Sequence, residues 1–255
     1  MVRKLLVTIG TASALIFGAQ ALAGSDTSVA VKVNAAMSDS NRPEKHVVRD
    51  ANRKPLETLE FFGLNDSMKV VELIPGGGWY TRLLAPVLRD NGKLYVAYGA
   101  GWMGDLLQQP DFTKVTLLAP ESKLHKPEGE RFYALENVAT GVTNVDMVLT
   151  FRNYHNFDEQ SRQRMNDEAY KMLKEGGIYG VVDHTRRHLE PLNGENGRRF
   201  DPVLAIKEIQ AAGFELVDFS DLHYQPVDAL EYEVGHKDVT GKTDRWTLKF
   251  KKVSK

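Results

Sequence analysis

The chain has no cysteine in 255 residues. That removes disulfides, thiolate metal sites and thiol chemistry, and leaves a packed core as the source of stability. It has little net charge, with 33 Lys and Arg against 34 Asp and Glu. Such a balance gives no electrostatic case for nucleic acid or for an anionic membrane surface. There is no internal repeat, no low-complexity tract and no H-E-x-x-H pair, so neither a solenoid nor a short metal motif is indicated. The longest apolar stretch, "LLVTIGTASALIFGAQ" near the start, is shorter than the ~20 residues a spanning helix needs.

That stretch follows the basic "MVRK" and precedes "ALAGS". A positive n-region, an apolar h-region and an A-x-A site make a secretory signal over residues 1–23, with cleavage expected after Ala23. The mature chain is then expected to begin at Gly24 and to be periplasmic or secreted. No cysteine follows the small residues, so no lipid anchor and no membrane attachment is expected after cleavage. Removing residues 1–23 takes away Arg3 and Lys4, leaving 31 basic against 34 acidic residues, a net charge of −3.

The full chain is 42% hydrophobic and 26% charged, the balance of one globular domain. Residues 24–40 are small and polar and read as a linker or flexible arm. "NRPEKHVVRDANRKPLETLEFFG" then reads as helix, with Asp50 as a cap for its second part, Leu56, Leu59, Phe62 and Leu64 inward and Gly63 at its end. From residue 68 the pattern alternates. "MKVVELI", "KLYVAYG", "TKVTLLAP", "VDMVLTF" and "GIYGVVDH" read as buried strands. Between them lie "WYTRLLAPVLRDNG", with Pro86 bending or shortening it, the short "MGDLLQQP", and the amphipathic "DEQSRQRMNDEAYKMLKEGG" closed by Gly176. Residues 120–144 carry no clear pattern. "DPVLAIKEIQAAG", with Asp201 as cap and Pro202 at its first position, is a further helix. "FELVDFSDL" and "DRWTLKFKKV" close the chain as strands, separated by an excursion over residues 223–243 instead of a helix. Strand–helix alternation requires a mostly parallel sheet covered on both faces, and the last strand, lacking a helical crossover, is expected to run antiparallel.

The stretch "VVELIPGGGWYTRLLAP" (70–86) passes from a β-branched strand through three glycines straight into a helix. Consecutive glycines at such a point suit a tight turn or the close approach of a ligand to the backbone. N–H groups at Gly77, Gly78 and Trp79 would open the helix and attract a carboxylate.

With these features together, the chain resembles the class I S-adenosylmethionine-dependent methyltransferases over residues 68–253. More narrowly, "PGGGWYT", "FRNYHN" (FRNxHN), "LKEGGIYGVVDH" and "GKTDRWTLKFKK" resemble a group of exported proteins predicted to be methyltransferases. The resemblance implies a methyltransferase-like domain over residues 41–255: a Rossmann-like, doubly wound α/β fold with a mostly parallel seven-stranded sheet and an antiparallel last strand. It implies S-adenosylmethionine as cofactor and a small-molecule substrate. The superfamily turn reads E/D-x-G-x-G-x-G. Glu72 matches its acid, and Gly76 and Gly78 match its second and third glycines. Ile74 stands where the first glycine belongs, with Pro75 after it. The acid that normally ends the second strand, for the ribose hydroxyls, is missing from "YVAYGAG", where Tyr98 is the residue able to stack or hydrogen-bond. The cofactor set is therefore Glu72, Gly76, Gly77, Gly78, Trp79, Tyr98 and Asn153.

Ligands of open α/β sheets bind beyond the carboxyl ends of the strands. There the fourth strand delivers "FRNYHNF" and the fifth "VVDHTRR". His155 and His184 are candidate general bases, with Asp183 or Asn156 to orient the imidazole and Arg152 to hold an acidic substrate in a bidentate grip. His155, His184 and Asp183 also fit a two-histidine, one-carboxylate metal set, which would mean hydrolysis rather than methyl transfer. A third reading keeps the fold but binds a different nucleoside or anionic metabolite. Ile74 and the missing ribose acid favour it, as does the cytoplasmic origin of S-adenosylmethionine. His188 and His223 are expected at the surface, and Trp246 in the core. Asp244, Arg245 and the 223–243 excursion are expected near the site, the last as a lid or wall.

Overall fold

The computed structural model describes residues 23–254. Helices α1 (Ala23–Met37), α2 (Glu44–Val47), α3 (Asp50–Arg53) and α4 (Pro55–Phe62) precede strand β1 (Lys69–Leu73). Then come α5 (Thr81–Leu88), β2 (Lys93–Ala97) and β3 (Thr116–Leu118). Two short strands, β4 (Lys123–His125) and β5 (Ala134–Glu136), form an antiparallel ribbon apart from the main sheet. The chain continues through β6 (Val145–Phe151), α6 (Glu159–Met172), β7 (Leu173–His184), α7 (Pro202–Ala211), β8 (Phe214–Ser220) and β9 (Arg245–Lys252).

The main sheet has seven strands in the order β3-β2-β1-β6-β7-β9-β8. β1, β2, β3, β6 and β7 pair in parallel, and β9 runs antiparallel between β7 and β8. This is the α/β methyltransferase fold expected from the sequence. One buried cluster packs α6 and α7 on one face of the sheet, through residues such as Met165, Ala169, Ile209 and Tyr179. A second packs α1, α4 and α5 on the other, through Val33, Leu59, Phe62, Leu83 and Leu84.

Several local expectations need correction. Residues 24–40 are not a free arm: α1 occupies most of the span, and Val29, Val33 and Ala36, on one helical stripe, are buried against α4 and α5. Small side chains had hidden that stripe. The expected signal segment lies outside the described residues except for Ala23. α6 ends at Met172 rather than Gly176, and β7 begins at once, so Gly176 (φ 73°) lies within the strand. The unpatterned stretch 120–144 contains β4 and β5, each three residues long and too short to show a period. Asp50 opens α3, but its carboxylate grips Arg42 in a bidentate pair at 2.7 Å. Asp158 and Asp201 cap α6 and α7 by accepting N–H bonds from Ser161 and from Val203 and Leu204. No helix among the described residues is long and apolar enough to cross a membrane.

Candidate active site

Three adjacent parallel strands end in the same backbone geometry. Ile74 after β1 (φ 54°), Tyr98 after β2 (φ 64°) and Arg152 after β6 (φ 59°) all adopt the left-handed conformation. That region is costly for side chains, and for β-branched Ile74 most of all. Ile74 stands where the superfamily turn has its first glycine and takes the conformation a glycine allows. It is held there from two sides: its N–H donates to the Ala97 carbonyl at 2.8 Å, and its own carbonyl accepts from Asn153 Nδ2 at 3.0 Å. Asn153 also donates to the Phe151 carbonyl. Its amide therefore ties the β6 loop to the glycine turn.

The three glycines have separate tasks. Gly76 (φ 56°) and Gly78 (φ 75°) need glycine for conformation, whereas Gly77 does not. A Cβ on Gly78 would run into Leu106, but one on Gly76 or Gly77 would meet nothing within 4 Å. The open side of the turn is thus at Gly76 and Gly77. The Gly78 N–H, expected to be free, donates to the Pro75 carbonyl at 2.9 Å and closes the turn.

A cleft of about 410 Å³ lies over this turn, lined by Ile74, Pro75, Gly76, Gly77, Trp79, Phe151, Arg152, Asn153, His155, Asn156 and His184. Its outer wall comes from Lys45, His46, Arg49 and Arg53 of α2, α3 and their junction, with Arg198 and Val234 opposite. The adjacency of β1 and β6 brings the glycine turn and the β6 loop into one crevice, and the pairing of β7 with β6 adds His184.

Asp183 organises the floor. It is fully buried and receives the backbone N–H of His155 (2.8 Å), the backbone N–H of His184 (2.7 Å) and the ring Nδ1 of His155 (2.6 Å). A carboxylate only accepts, so the contact places the His155 proton on Nδ1 and leaves the lone pair on Nε2. Of the two residues expected to orient His155, Asp183 does so. His184 lies behind it, its ring tilted by 57° with centroids 5.5 Å apart, and its Nδ1 shares a hydrogen bond with the Thr243 hydroxyl at 2.8 Å. Burial, then neighbouring His155 and the Arg245 and Arg152 guanidiniums, hold His184 well below its ordinary range, so it is neutral. With Asp183 engaged by three N–H donors, the three residues do not converge on a point. Among the described residues no group of three His, Asp or Glu side chains is arranged to hold a metal.

Other expected residues lie outside the cleft. Glu72 is buried under the turn, where its Oε2 accepts from the Thr81 hydroxyl at 2.6 Å. Burial pushes its carboxyl up to about 7. Tyr98 is buried too, and its hydroxyl donates to the Val138 carbonyl at 2.6 Å. Its ring borders a separate hollow of about 260 Å³ beyond β2 and β3, with Gly99, Trp102, Leu117, Ala119, Ser122 and Leu124. No carboxylate lines that hollow. His223, expected at the surface, is 1% exposed. It meets the Arg53 carbonyl through Nε2 (2.9 Å) and the Thr247 hydroxyl through Nδ1 (2.7 Å), and burial holds its ring at about 4. His188 pairs with Asp201 and is half exposed. Trp246 lies in the core, donating to the Phe200 carbonyl. The 223–243 excursion is anchored by the buried Arg199–Asp228 pair and the outer Arg198–Glu233 pair, and its Val234 forms part of the cleft wall.

The outer wall is what sequence reasoning missed. Trp79 Nε1 donates to the His46 carbonyl at 3.0 Å, and the Arg53 guanidinium lies 4.3 Å over the Trp79 ring. Trp79 therefore pins α2 and α3 to the glycine turn. Lys45, Arg49 and Arg53 recur every four residues, the spacing of one helix face. The sequence carries that signal beside the apolar positions Leu56, Leu59 and Phe62.

No protein-family profile matches the sequence, and no curated protein matches it. Solved structures do match in shape. A S-adenosylmethionine-dependent methyltransferase from Aquifex aeolicus is similar at TM-score 0.53 and 13% identity, over 87% of this chain and 97% of that one. The [4+2]-cyclase SpnF is similar at TM-score 0.52 and 14% identity, over 89% of this chain and 94% of that one. Human N-acetylserotonin methyltransferase, solved with S-adenosylmethionine, is similar at TM-score 0.51 and 12% identity, over 89% of this chain and 57% of that one. At these identities the likeness is one of fold, and the fold is that of the S-adenosylmethionine-dependent methyltransferases.

Proposed function

We propose that the protein is a S-adenosylmethionine-dependent methyltransferase acting on a small molecule outside the cytoplasm. One observation carries this reading: the open face of the glycine turn and a carboxylate-held imidazole border the same cleft. The missing Cβ atoms at Gly76 and Gly77 leave space against the backbone. The N–H groups of Gly76, Gly77 and Trp79 have no partner among the described residues, which suits the carboxylate of an amino-acid group. The hollow beside Tyr98 and Trp102 offers two aromatic rings for a base. The turn would hold the cofactor's amino-acid group and the hollow its base, and no lining residue of the hollow is a carboxylate of the kind that holds a ribose.

When bound, S-adenosylmethionine supplies a methyl group on a positively charged sulfur. The chain's part is to position an acceptor and take its proton. His155 Nε2 is the base, and Asp183 fixes its tautomer and stabilises the imidazolium that forms. His184, neutral, backs the ring without competing for the proton. The N-terminal signal and the export it implies belong to the same proposal and rest on residues 1–23 alone.

The test is calorimetry of the chain from Gly24 with S-adenosylmethionine and S-adenosylhomocysteine. Saturable binding of both supports the reading, and binding of neither refutes it. A second reading is favoured by the hollow that lacks a carboxylate and by a cyclase sharing the fold: a different ligand or reaction on the same scaffold. It predicts no binding of either compound and binding of another nucleoside.

A further inference from the structure

The cleft is lined by charge of one sign only. Five of its lining residues are Lys or Arg, namely Lys45, Arg49, Arg53, Arg152 and Arg198, and none is Asp or Glu. Only Arg198 is neutralised, by Glu233. Lys45, Arg49, Arg53 and Arg152 form no ion pair among the described residues.

Two of the four are also desolvated. Arg53 is 6% exposed, and its buried Nη1 has no hydrogen-bond partner. Burial, with Arg152 next, lowers its guanidinium to about 8. Arg152 sits on the left-handed turn after β6, and its side chain makes no hydrogen bond or ion pair among the described residues. Burial, with Arg245 next, lowers it to about 10, opposed in smaller measure by Tyr80 and Asp183. Guanidiniums crowded together out of water are unfavourable by themselves. Here the fold secures them: Trp79 holds Arg53, and Asn153 holds the loop that carries Arg152. Charges maintained at such a cost, and aimed into an open cleft, are arranged for an anion.

We infer that the acceptor is a small polyanion, a compound with at least two negative charges as phosphate or carboxylate groups, gripped by Arg53 and Arg152 with Arg49 and Lys45 at the mouth. This rests on the methyltransferase reading and narrows its substrate class. A donor's single carboxylate is matched by its own ammonium, and its sulfonium would add a further positive charge, so the donor leaves all four cations to the acceptor. A doubly charged acceptor offsets two of them. A second hollow of about 270 Å³ shares His155, Asn156 and Arg198 with the cleft and adds Lys126 and Arg131, with Glu233, the partner of Arg198, as its one carboxylate. Positive charge therefore flanks His155 on both sides.

Calorimetry of the chain from Gly24 with pyrophosphate, with inorganic phosphate and with citrate tests the inference without any cofactor. Saturable binding of pyrophosphate or citrate is expected. Preference for pyrophosphate assigns the charges to phosphate groups, and preference for citrate assigns them to carboxylates. Arg152→Gln and Arg49→Gln should each weaken that binding, Arg152→Gln by roughly ten- to a hundredfold, the range of one buried charge-assisted contact. Lys69→Gln, exposed at the amino end of β1, should leave it unchanged. Arg152→Gln should also raise the melting temperature of the ligand-free chain, because it relieves repulsion; a structural arginine would lower it. Failure of every probe to bind overturns the inference, as does equal loss in Lys69→Gln. Competition between pyrophosphate and S-adenosylhomocysteine overturns it too, because the arginines would then belong to the donor's carboxylate. If the anions bind and S-adenosylhomocysteine does not, the methyltransferase reading fails and the anion site stands.

Discussion

Replacing Glu72 by Gln should make the protein more stable at neutral and alkaline pH, by an amount that the structure sets. Glu72 is buried beneath the glycine turn with the Thr81 hydroxyl as its hydrogen-bond partner. Burial moves its carboxyl from an ordinary 4.5 up to about 7, opposed in smaller measure by Thr81 and Arg53. Below about pH 4.5 both folded and unfolded chains carry it protonated. Between there and about 7 only the unfolded chain ionises, which draws the equilibrium toward unfolding. Above about 7 both are ionised and the loss is complete. At about 1.4 kcal/mol per pH unit, the gap between 4.5 and 7 amounts to about 3 kcal/mol. Gln keeps the shape and the acceptor for Thr81 but does not titrate. Urea denaturation of both proteins at about pH 4 and about pH 8 reads the effect. The stability of Glu72→Gln minus that of the parent should rise by about 3 kcal/mol between the two. His46 and His223, both held near 4 by burial, titrate in the opposite sense, but they are common to both proteins and cancel. A difference that does not change with pH would show that Glu72 ionises normally in the folded chain, and the burial argument would be wrong. The same variant separates two roles. Against Thr81 and outside the cleft, Glu72 is a support for the turn, so affinity for S-adenosylhomocysteine should be kept. A folded variant that loses it would make Glu72 the cofactor residue that the family resemblance implies.

Gly77→Val adds a side chain into open space at an ordinary φ, so its melting temperature should stay near the parent's while S-adenosylhomocysteine binding is lost. Gly78→Ala should do the reverse of that first effect: its left-handed φ and the collision with Leu106 should cost about 2 kcal/mol or more in urea. His155→Ala should leave S-adenosylhomocysteine affinity nearly unchanged and lower turnover ~10²–10⁴-fold, the usual share of a general base; joint loss of both would make His155 a cofactor contact. Asp183→Asn should match it in turnover, since an amide donating to Nδ1 moves the proton onto Nε2. The intact mass of the exported protein should correspond to a chain beginning at Gly24, and a full-length mass in the soluble fraction would refute the signal assignment.

The sheet was legible because its strands are buried on both faces, and β1, β6 and β7 read as unbroken apolar runs punctuated by glycine, aspartate and proline. The antiparallel β9 followed from the missing helix before it. The glycine turn was legible as chemistry, since three glycines between a strand and a helix have few other uses. Less legible were features whose cause lies far away in sequence. The burial of His223 depends on Arg53 and Thr247, and the helix at 23–37 shows itself only once α4 and α5 are there to cover Val29 and Val33. Ile74 looked like a departure from the turn and adopts the backbone conformation of the missing glycine, because Ala97 and Asn153 hold it on both sides.

By itself the sequence determined the order of the main-sheet strands along the chain, the candidate site's location at the carboxyl ends of β1, β6 and β7, and the residues Gly76, Gly77, Arg152, His155, Asp183 and His184 that the fold brings together there. Those follow from local pattern, in which each residue's neighbours in the chain are also its structural context. Tertiary structure alone decided which histidine Asp183 holds, that Glu72 and Tyr98 turn away from the cleft, and that the basic residues of α2, α3 and their junction are held over the glycine turn by Trp79. The physical reason is that a hydrogen-bond partner or an unpaired charge is a property of the space around a side chain, and in this fold that space is filled by segments up to 193 residues apart in the chain.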